Sequence, residues 1–309
     1  MLTILVLGSA AGGGFPQWNC NCAGCRRARS GDPAARPRTQ SSVAVSGGDG
    51  RWLLLNASPD IGQQILANPA LHPQTAVRHS PIAAAVLTNA DIDHVAGLLT
   101  LRESQPLAVY ATDRVHRVLE ANAVFRVVNP ELAPRRAMAL DRPWVPADAA
   151  GTPFPFEIEA FAVPGKVALY LEDPSATGFG SVAEDTVALR IRDRNGDGEF
   201  FYIPGCSAMP GWLADRLRAA PLVLFDGTTW TDYEMIRAGT GSKTGQRMGH
   251  MAMSGPDGSI AAFAGLGVRR KVFVHINNTN PALLDDSPER AAATAEGWEI
   301  AHDGMEFML

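Results

Sequence analysis

The amino-acid sequence predicts an α/β fold in which two mixed sheets are flanked by helices. Three observations lead there. Apolar segments of strand length recur from end to end, stretches of helical periodicity lie between them, and one pair of strand segments is joined by a tight polar turn. The strand segments are residues 2–7, 42–45, 52–56, 84–87, 108–110, 157–163, 186–192, 199–203, 222–225, 271–275 and 299–300. A helix opens at Ser58-Pro59, with serine as cap and proline at the first helical position, and runs towards Ile65. Residues 113–121, 211–219 and 288–296 also carry helical periodicity. The run Asp193-Arg194-Asn195-Gly196-Asp197-Gly198 imitates half of an EF-hand loop. Its twelfth position is Pro204, however, and strands flank it, so it reads as a hairpin turn. With no internal sequence repeat and no low-complexity linker, residues 1–309 read as one domain.

Composition narrows the function classes. A chain of 309 residues that is 46% hydrophobic and 19% charged has ample core. The net charge of -5 argues against a nucleic-acid partner. No apolar run reaches the roughly 18 residues that cross a bilayer. Met1 to Leu7 lacks a preceding basic region and runs into glycines, as a first strand does and a signal peptide does not. Four cysteines, three of them between Cys20 and Cys25, do not make a disulfide scaffold, and a cytoplasmic location is expected.

The chemistry gathers at Thr88-Asn89-Ala90-Asp91-Ile92-Asp93-His94. The apolar run 82–87 reads as a buried strand, and Val95-Ala96-Gly97-Leu98-Leu99 as the start of a helix. Asn89, Asp91, Asp93 and His94 therefore crowd one strand-to-helix corner, where a loop can aim several side chains at one ion. The competing reading makes Asp93 the cap of a helix beginning at His94. His275 ends another apolar strand and directly precedes Ile276-Asn277-Asn278-Thr279-Asn280-Pro281. Three asparagines at a loop mouth favour a site over a core histidine.

Gly8-Ser9-Ala10-Ala11-Gly12-Gly13-Gly14 lacks the ending of a phosphate-binding loop and reads as a tight turn. It leads to Cys20-Asn21-Cys22-Ala23-Gly24-Cys25, where three thiols are close enough to face one zinc ion. Free buried cysteines are the bland alternative. Asp226 follows an apolar strand, and His250 opens a helix-like stretch over 249–254. The glycine-rich stretch 239–249 reads as a lid whose Lys243 and Arg247 meet substrate carboxylates, or else as a solvated loop. His72, His79, His116 and His302 read as structural or exposed.

The Thr88–His94 corner resembles the metallo-β-lactamase superfamily, whose signature there is His-x-His-x-Asp-His. Asp93 and His94 match, whereas Asn89 and Asp91 stand where the superfamily has histidines. The resemblance implies an αββα sandwich with its metal site at the sheet edge, and it makes His275 the last ligand histidine. Val163-Pro164-Gly165 and Pro204-Gly205-Cys206 fall where two further ligands are expected and offer none. Asp93, His94 and His275 remain: two histidines and a carboxylate, the facial triad of non-haem Fe(II) oxygenases, with zinc an open alternative. Asp91 adds a fourth ligand or a base. The Cys-x-Cys-x-x-Cys run is similar to a phosphodiesterase branch in which a histidine completes a structural zinc site; Asn278 holds that position here, so the resemblance leaves Asn278, water or Cys206 as the fourth ligand. In related phosphodiesterases and nucleases the counterparts of Asp226 and His250 form an acidic–histidine pair beside the metal, which implies acid–base work.

Gly8–Cys25, Thr88–His94, Ile203-Pro204-Gly205-Cys206 and His275–Pro281 together resemble the B-protein family of pyrroloquinoline quinone (PQQ) biosynthesis over the full length. That resemblance implies Fe(II) at the active site, a structural zinc and O2 as co-substrate. The implied reaction is hydroxylation of the tyrosine ring of a Glu–Tyr cross-linked unit taken from a precursor peptide. Asn89, Lys243 and Arg247 would then face the substrate, and the chain would be a homodimer. The rival classes are a metal-dependent hydrolase of the same fold and a non-catalytic carrier assisting transport of PQQ or its precursor to the periplasm.

Overall fold

Alternation along the strands decides the architecture of residues 1–309, described by a computed structural model. In β1 (Thr3–Gly8), Ile4 and Val6 join a core that draws on both sheets, while Leu5 and Leu7 join another beneath helices. Successive side chains of a strand point to opposite faces, so a strand apolar at every position must be covered on both. The same holds at the other side of the molecule. In β10 (Leu222–Asp226), Leu222 and Leu224 face the central core, and Val223 and Phe225 face outwards under helices. Two sheets with helices outside both satisfy this pattern.

The first sheet contains β2 (Ser42–Ser46), β3 (Trp52–Leu55), β4 (Ile82–Val86), β5 (Ala108–Ala111), β6 (Arg135–Ala137) and β13 (Glu306–Met308), in the order β13-β1-β2-β3-β4-β5-β6. The second contains β7 (Phe156–Ala162), β8 (Val187–Asp193), β9 (Glu199–Ile203), β11 (Arg270–Val274) and β12 (Trp298–Ile300), in the order β12-β11-β10-β9-β8-β7. Each sheet passes from antiparallel pairing to parallel pairing at its third strand in chain order, β3 and β9. This repeat of topology has no counterpart in the sequence, because packing constrains which positions are apolar and not which apolar residue fills them.

The hairpin reading of residues 193–198 is met: the Asp193 N–H bonds the Gly198 carbonyl at 2.8 Å between β8 and β9. Asp113–Ala121 is a helix with Thr112 as its cap, and Pro288–Ala295 one with Ser287 as its cap. The helix expected from Ser58-Pro59 begins later, at Ile61. Ser58 Oγ accepts the Asp60 N–H at 3.0 Å, which makes a turn of the residues read as the first helical positions. Two edge strands escape the apolar pattern, β6 because it reads Arg-Arg-Ala and β13 because it has one buried residue in three.

Parallel pairing of β9, β10 and β11 brings their carboxyl ends side by side, with Phe225 opposite Ile203 and Asp226 opposite Val274. Across the sandwich, the Val187 N–H bonds the Thr88 carbonyl at 2.9 Å and ties the end of β4 to the same rim. Loops beyond strand carboxyl ends are where open α/β sheets place their ligands. No helix is long and apolar enough to cross a membrane.

Outside the second sheet, Phe225 meets Phe263 edge-on at 4.9 Å, and Phe273 stacks on Trp298 at 3.8 Å. Phe225→Ala is expected to destabilise the protein by about 3–5 kcal/mol, as deletion of a fully buried aromatic does. Chemical denaturation followed by circular dichroism measures it; a loss below about 1 kcal/mol would show that this layer collapses freely around the gap.

Candidate metal centre

The corner after β4 folds around Asn89. Its Oδ1 accepts the Asp91 N–H at 3.0 Å, an Asx turn that launches the short helix Ile92–Val95. Asp93 thus lies inside the first helical turn, and the reading of it as cap to a helix starting at His94 is overturned. Its carboxylate instead reaches across the sandwich, with Oδ2 3.1 Å from His275 Nε2 and 3.8 Å from His94 Nε2. One ligand atom from each of Asp93, His94 and His275 lies within 4.8 Å of the others, close enough for all three to hold one ion.

The hydrogen bonds behind the imidazoles fix their orientation. His94 Nδ1–H donates to Asn89 Oδ1 at 2.7 Å, which leaves Nε2 as the lone-pair nitrogen. That Nε2 is buried without a hydrogen-bond partner, the condition of a metal ligand. Thr228 supports His275. Its hydroxyl proton goes to Asp226 Oδ1 at 2.6 Å, so its oxygen accepts from His275 Nδ1 at 2.9 Å and turns Nε2 to the Asp93 carboxylate, which, against the cost of burial, favours the protonated ring. Burial pushes His94 down to about 4, so the imidazole is neutral and able to bind a metal. Burial opposes ionisation of Asp93, but the His94 and His275 rings hold its carboxyl well below the usual range. Asp91, desolvated and facing Asp93, is pushed up to about 6.

His275 adopts a left-handed backbone, φ 55°, unusual for a residue with a side chain. Its neighbours hold it there. The Ile276 N–H bonds the Ser9 carbonyl at 3.0 Å, and the Asn277 N–H bonds the Thr228 carbonyl at 3.0 Å. The glycine turn after β1 closes one wall, since a Cβ on Gly12 would meet the Asp93 carboxylate at 3.5 Å.

Asp226, with no exposed surface, has both oxygens engaged. Oδ2 accepts from His250 Nδ1 at 2.7 Å and from the Cys206 N–H at 2.9 Å, and Oδ1 accepts from the Thr228 N–H and hydroxyl. The His250 ring stacks on that of His275 with centroids 5.3 Å apart. The expected acid–base pair is therefore brought together beside the triad. His250 does not open a helix over 249–254; Gly249, at φ 93°, ends the short helix Gly245–Met248 and the chain turns at His250.

Cys20, Cys22 and Cys25 also present sulfur atoms within 4.8 Å of one another. Burial pushes Cys22 up to about 12, and Cys20 and Cys25 beside it add to the shift. Ionised thiolates this close need a cation between them, and a thiolate-rich set suits zinc. Asn278 lies against them, its Nδ2 3.4 Å from Cys25 Sγ and its carbonyl oxygen 3.7 Å from Cys22 Sγ. Cys206 is corrected as a fourth ligand: its Sγ faces the Ala208 carbonyl at 3.1 Å, in the turn that caps Asp226.

Residues 51–276 match the profile of the Beta-lactamase superfamily domain. Coenzyme PQQ synthesis protein B of Gluconacetobacter diazotrophicus is 53% identical over 310 residues, covering 99% of each chain. That of Xanthomonas euvesicatoria is 52% identical over 308 residues, covering 100% of both. The chain belongs to the coenzyme PQQ synthesis protein B family. The crystal structure of Zn(2+)-bound PqqB from Methylobacterium extorquens superposes with a TM-score of 0.93 at 51% identity, over 99% of this chain and 100% of that one. A diphosphatase from the PhnP family, at 20% identity and a TM-score of 0.68 over 100% of this chain and 98% of its own, shares the fold alone.

Within this family member the sequence-predicted residues fall into two groups. Asp91, Asp93, His94, His275, Asp226 and His250 converge on the rim. Asn89, expected to face substrate, has its amide committed instead: Oδ1 holds His94, and Nδ2 donates to Asp91 Oδ2 at 3.0 Å. Lys243 and Arg247 meet the Glu172 carboxylate, at 3.8 and 2.7 Å. Sequence reasoning missed Thr228, whose role rests on one hydroxyl between two distant strands. It also missed the buried link Asn56–Thr88 beneath the corner, where Asn56 Oδ1 accepts the Thr88 N–H at 2.9 Å.

Thr228→Val is expected to weaken metal binding about 10–100-fold, as loss of a ligand's supporting partner does, and Thr228→Ser to restore it. Competition against a chromophoric chelator reads this directly; unchanged affinity in the valine variant would remove Thr228 from the positioning role. At the second cluster, Cys25→Ser should lose its zinc by elemental analysis and melt below wild type. Zinc-depleted wild type should match that lowered melting temperature if the ion pins the loop.

Proposed function

We propose that this protein acts in PQQ synthesis as an Fe(II)- and O2-dependent hydroxylase of the tyrosine ring in a Glu–Tyr cross-linked amino acid. The observation that carries the reading is the convergence of two imidazoles and one carboxylate at the sheet rim, a set with positions left over for O2 and substrate. Membership of a family named for PQQ synthesis supports a substrate that lies on the way to PQQ. Asp93, His94 and His275 would hold the iron, which when bound supplies the binding and activation of O2.

The chain's own residues handle protons and orientation. His250, with Nδ1–H on Asp226, keeps Nε2 as a base for the ring proton lost on hydroxylation, and the buried Asp226 carboxylate stabilises the imidazolium that forms. Asp91, raised to about 6, is poised to accept the phenol proton near neutral pH. Lys243 and Arg247 offer positive charge to substrate carboxylates. One oxygen atom of O2 enters the ring and the other leaves as water, with two electrons from an external reductant of the ascorbate type.

A hydrolase reading draws on a second set, Asp226, His250 and His275, which also lies within 4.8 Å and shares His275 with the triad. A two-metal hydrolase would need an ion there as well. The four hydrogen bonds already accepted by Asp226 favour a single ion.

The test is O2 consumption by metal-free protein reloaded with Fe(II), with ascorbate and the cross-linked amino acid, and Asp93→Ala as control. Fe-dependent uptake giving a product heavier by one oxygen atom, abolished in Asp93→Ala, is the expected outcome. No uptake together with tight PQQ binding would promote the carrier. Two ions per rim site in a Cys25→Ser background, with hydrolytic turnover, would promote the hydrolase.

A further inference from the structure

Between β7 and β8 the chain makes a long excursion, residues 163–186, built from turns and two short 3-10 segments, Leu169–Leu171 and Thr177–Gly180. This strap crosses the rim. The Tyr170 hydroxyl donates to the Ala90 carbonyl at 2.6 Å, between Asn89 and Asp91 at the metal corner. Two residues on, Glu172 turns its carboxylate into a nest of three cations. Lys166 Nζ lies 2.9 Å from Oε1, Arg247 reaches both oxygens at 3.2 and 2.7 Å, and Lys243 Nζ stands 3.8 Å away.

The charge balance of this cluster is uneven. Glu172 is the one carboxylate that its three cations share, and its side chain is 8% exposed, whereas those of Lys243 and Arg247 are 35% and 32% exposed. Lys166 connects the nest to the metal site, because its charge also acts on Asp91. A fork-shaped guanidinium bonded to both oxygens of a carboxylate, with ammonium groups beside it, is the arrangement by which proteins take up carboxylate ligands. The strap, meanwhile, sits in a conformation it holds weakly. Phe179 has a left-handed backbone, φ 59°, and lies under the Arg247 guanidinium at 3.6 Å, and Leu169, Tyr170 and Val182 remain exposed.

We infer that Lys243 and Arg247, with Lys166 at the foot of the strap, form the carboxylate-binding site for a multi-carboxylate ligand, and that Glu172 is an internal stand-in which the ligand displaces as the strap opens beyond Lys166. The ligand's identity rests on the proposed function, in which the substrate carries several carboxylates; the site itself rests on the cluster alone. While Glu172 occupies the cations the binding-competent population is reduced, and apparent affinity falls by that fraction. The displaced strap also uncovers the Ala90 carbonyl and the Asp91 side of the rim, so that binding and access are coupled.

Isothermal titration of the metal-loaded protein tests this with two probes, the cross-linked Glu–Tyr amino acid and citrate. Glu172→Gln is expected to bind both about tenfold more tightly than wild type, and Lys243→Ala/Arg247→Ala about tenfold more weakly. An analogue of the amino acid with its carboxyl groups amidated should show no difference between wild type and Glu172→Gln. Tyr170→Phe, which loosens the strap without altering a charge, should tighten binding in the same direction by a smaller factor. It keeps the test informative if the melting temperature shows Glu172→Gln to be unfolded. Equal or weaker binding of both probes by folded Glu172→Gln, or by Tyr170→Phe in its place, overturns the inference. Tightening towards both probes with no O2 consumption leaves the carboxylate site standing and sinks the hydroxylase alone.

Discussion

Asp226 is a carboxylate with no exposed surface, and such a group persists in a protein interior only when its oxygens are satisfied. Meeting that requirement organises the rim. One oxygen takes the Cys206 N–H, which fixes the turn after β9, and the Nδ1–H of His250, which fixes the loop after Gly249. The other takes the N–H and hydroxyl of Thr228. Because the Thr228 proton is used there, its oxygen faces His275 and holds that ring's Nδ1–H. A single desolvated charge thereby orients two imidazoles from separate loops. The burial that makes the carboxylate costly also strengthens each of its bonds.

The two candidate ion sites are joined by a short stretch of chain. His275 belongs to the triad, and Asn278 lies against the cysteine cluster three positions on. The loop that carries both is anchored by the Asn280 amide on the Gly227 carbonyl at 2.9 Å and by the Ile276 N–H on the Ser9 carbonyl. The loop after β1 carries the cysteines past Gly12, which borders Asp93. Order at the cysteines is thus connected to the His275 loop through a few residues of continuous chain.

On the opposite side of the rim the structure is looser. The 163–186 strap has no strand or α-helix; Val163, Ala168 and Leu171 pack on the core, and its ties at the rim are polar, a tyrosine hydroxyl on a carbonyl and one carboxylate among cations. Such contacts exchange readily for contacts with a polar ligand, whereas apolar packing does not. The candidate metal edge is thus faced by a segment whose ties at the rim are polar.

Much of this was legible in the sequence, and the reason is locality. Continuous apolar runs of strand length marked most of the strands, because a strand buried on both faces needs apolar residues throughout. Asp93 and His94 stood out because they match the superfamily signature at that corner, His275 because it directly ends an apolar run, and Cys20, Cys22 and Cys25 because of their close spacing. Tertiary structure decided what depends on partners far apart in the chain. Asn89 became a support for His94 because the corner folds back on itself. Thr228 gained its role because the parallel register sets Asp226 beside the strand that ends at His275. Lys243 and Arg247 acquired a carboxylate partner from a strap that no pattern in their own segment announces. Hydrogen-bond partnership depends on distance and direction in space, and a sequence records those only where the partners are also neighbours along the chain.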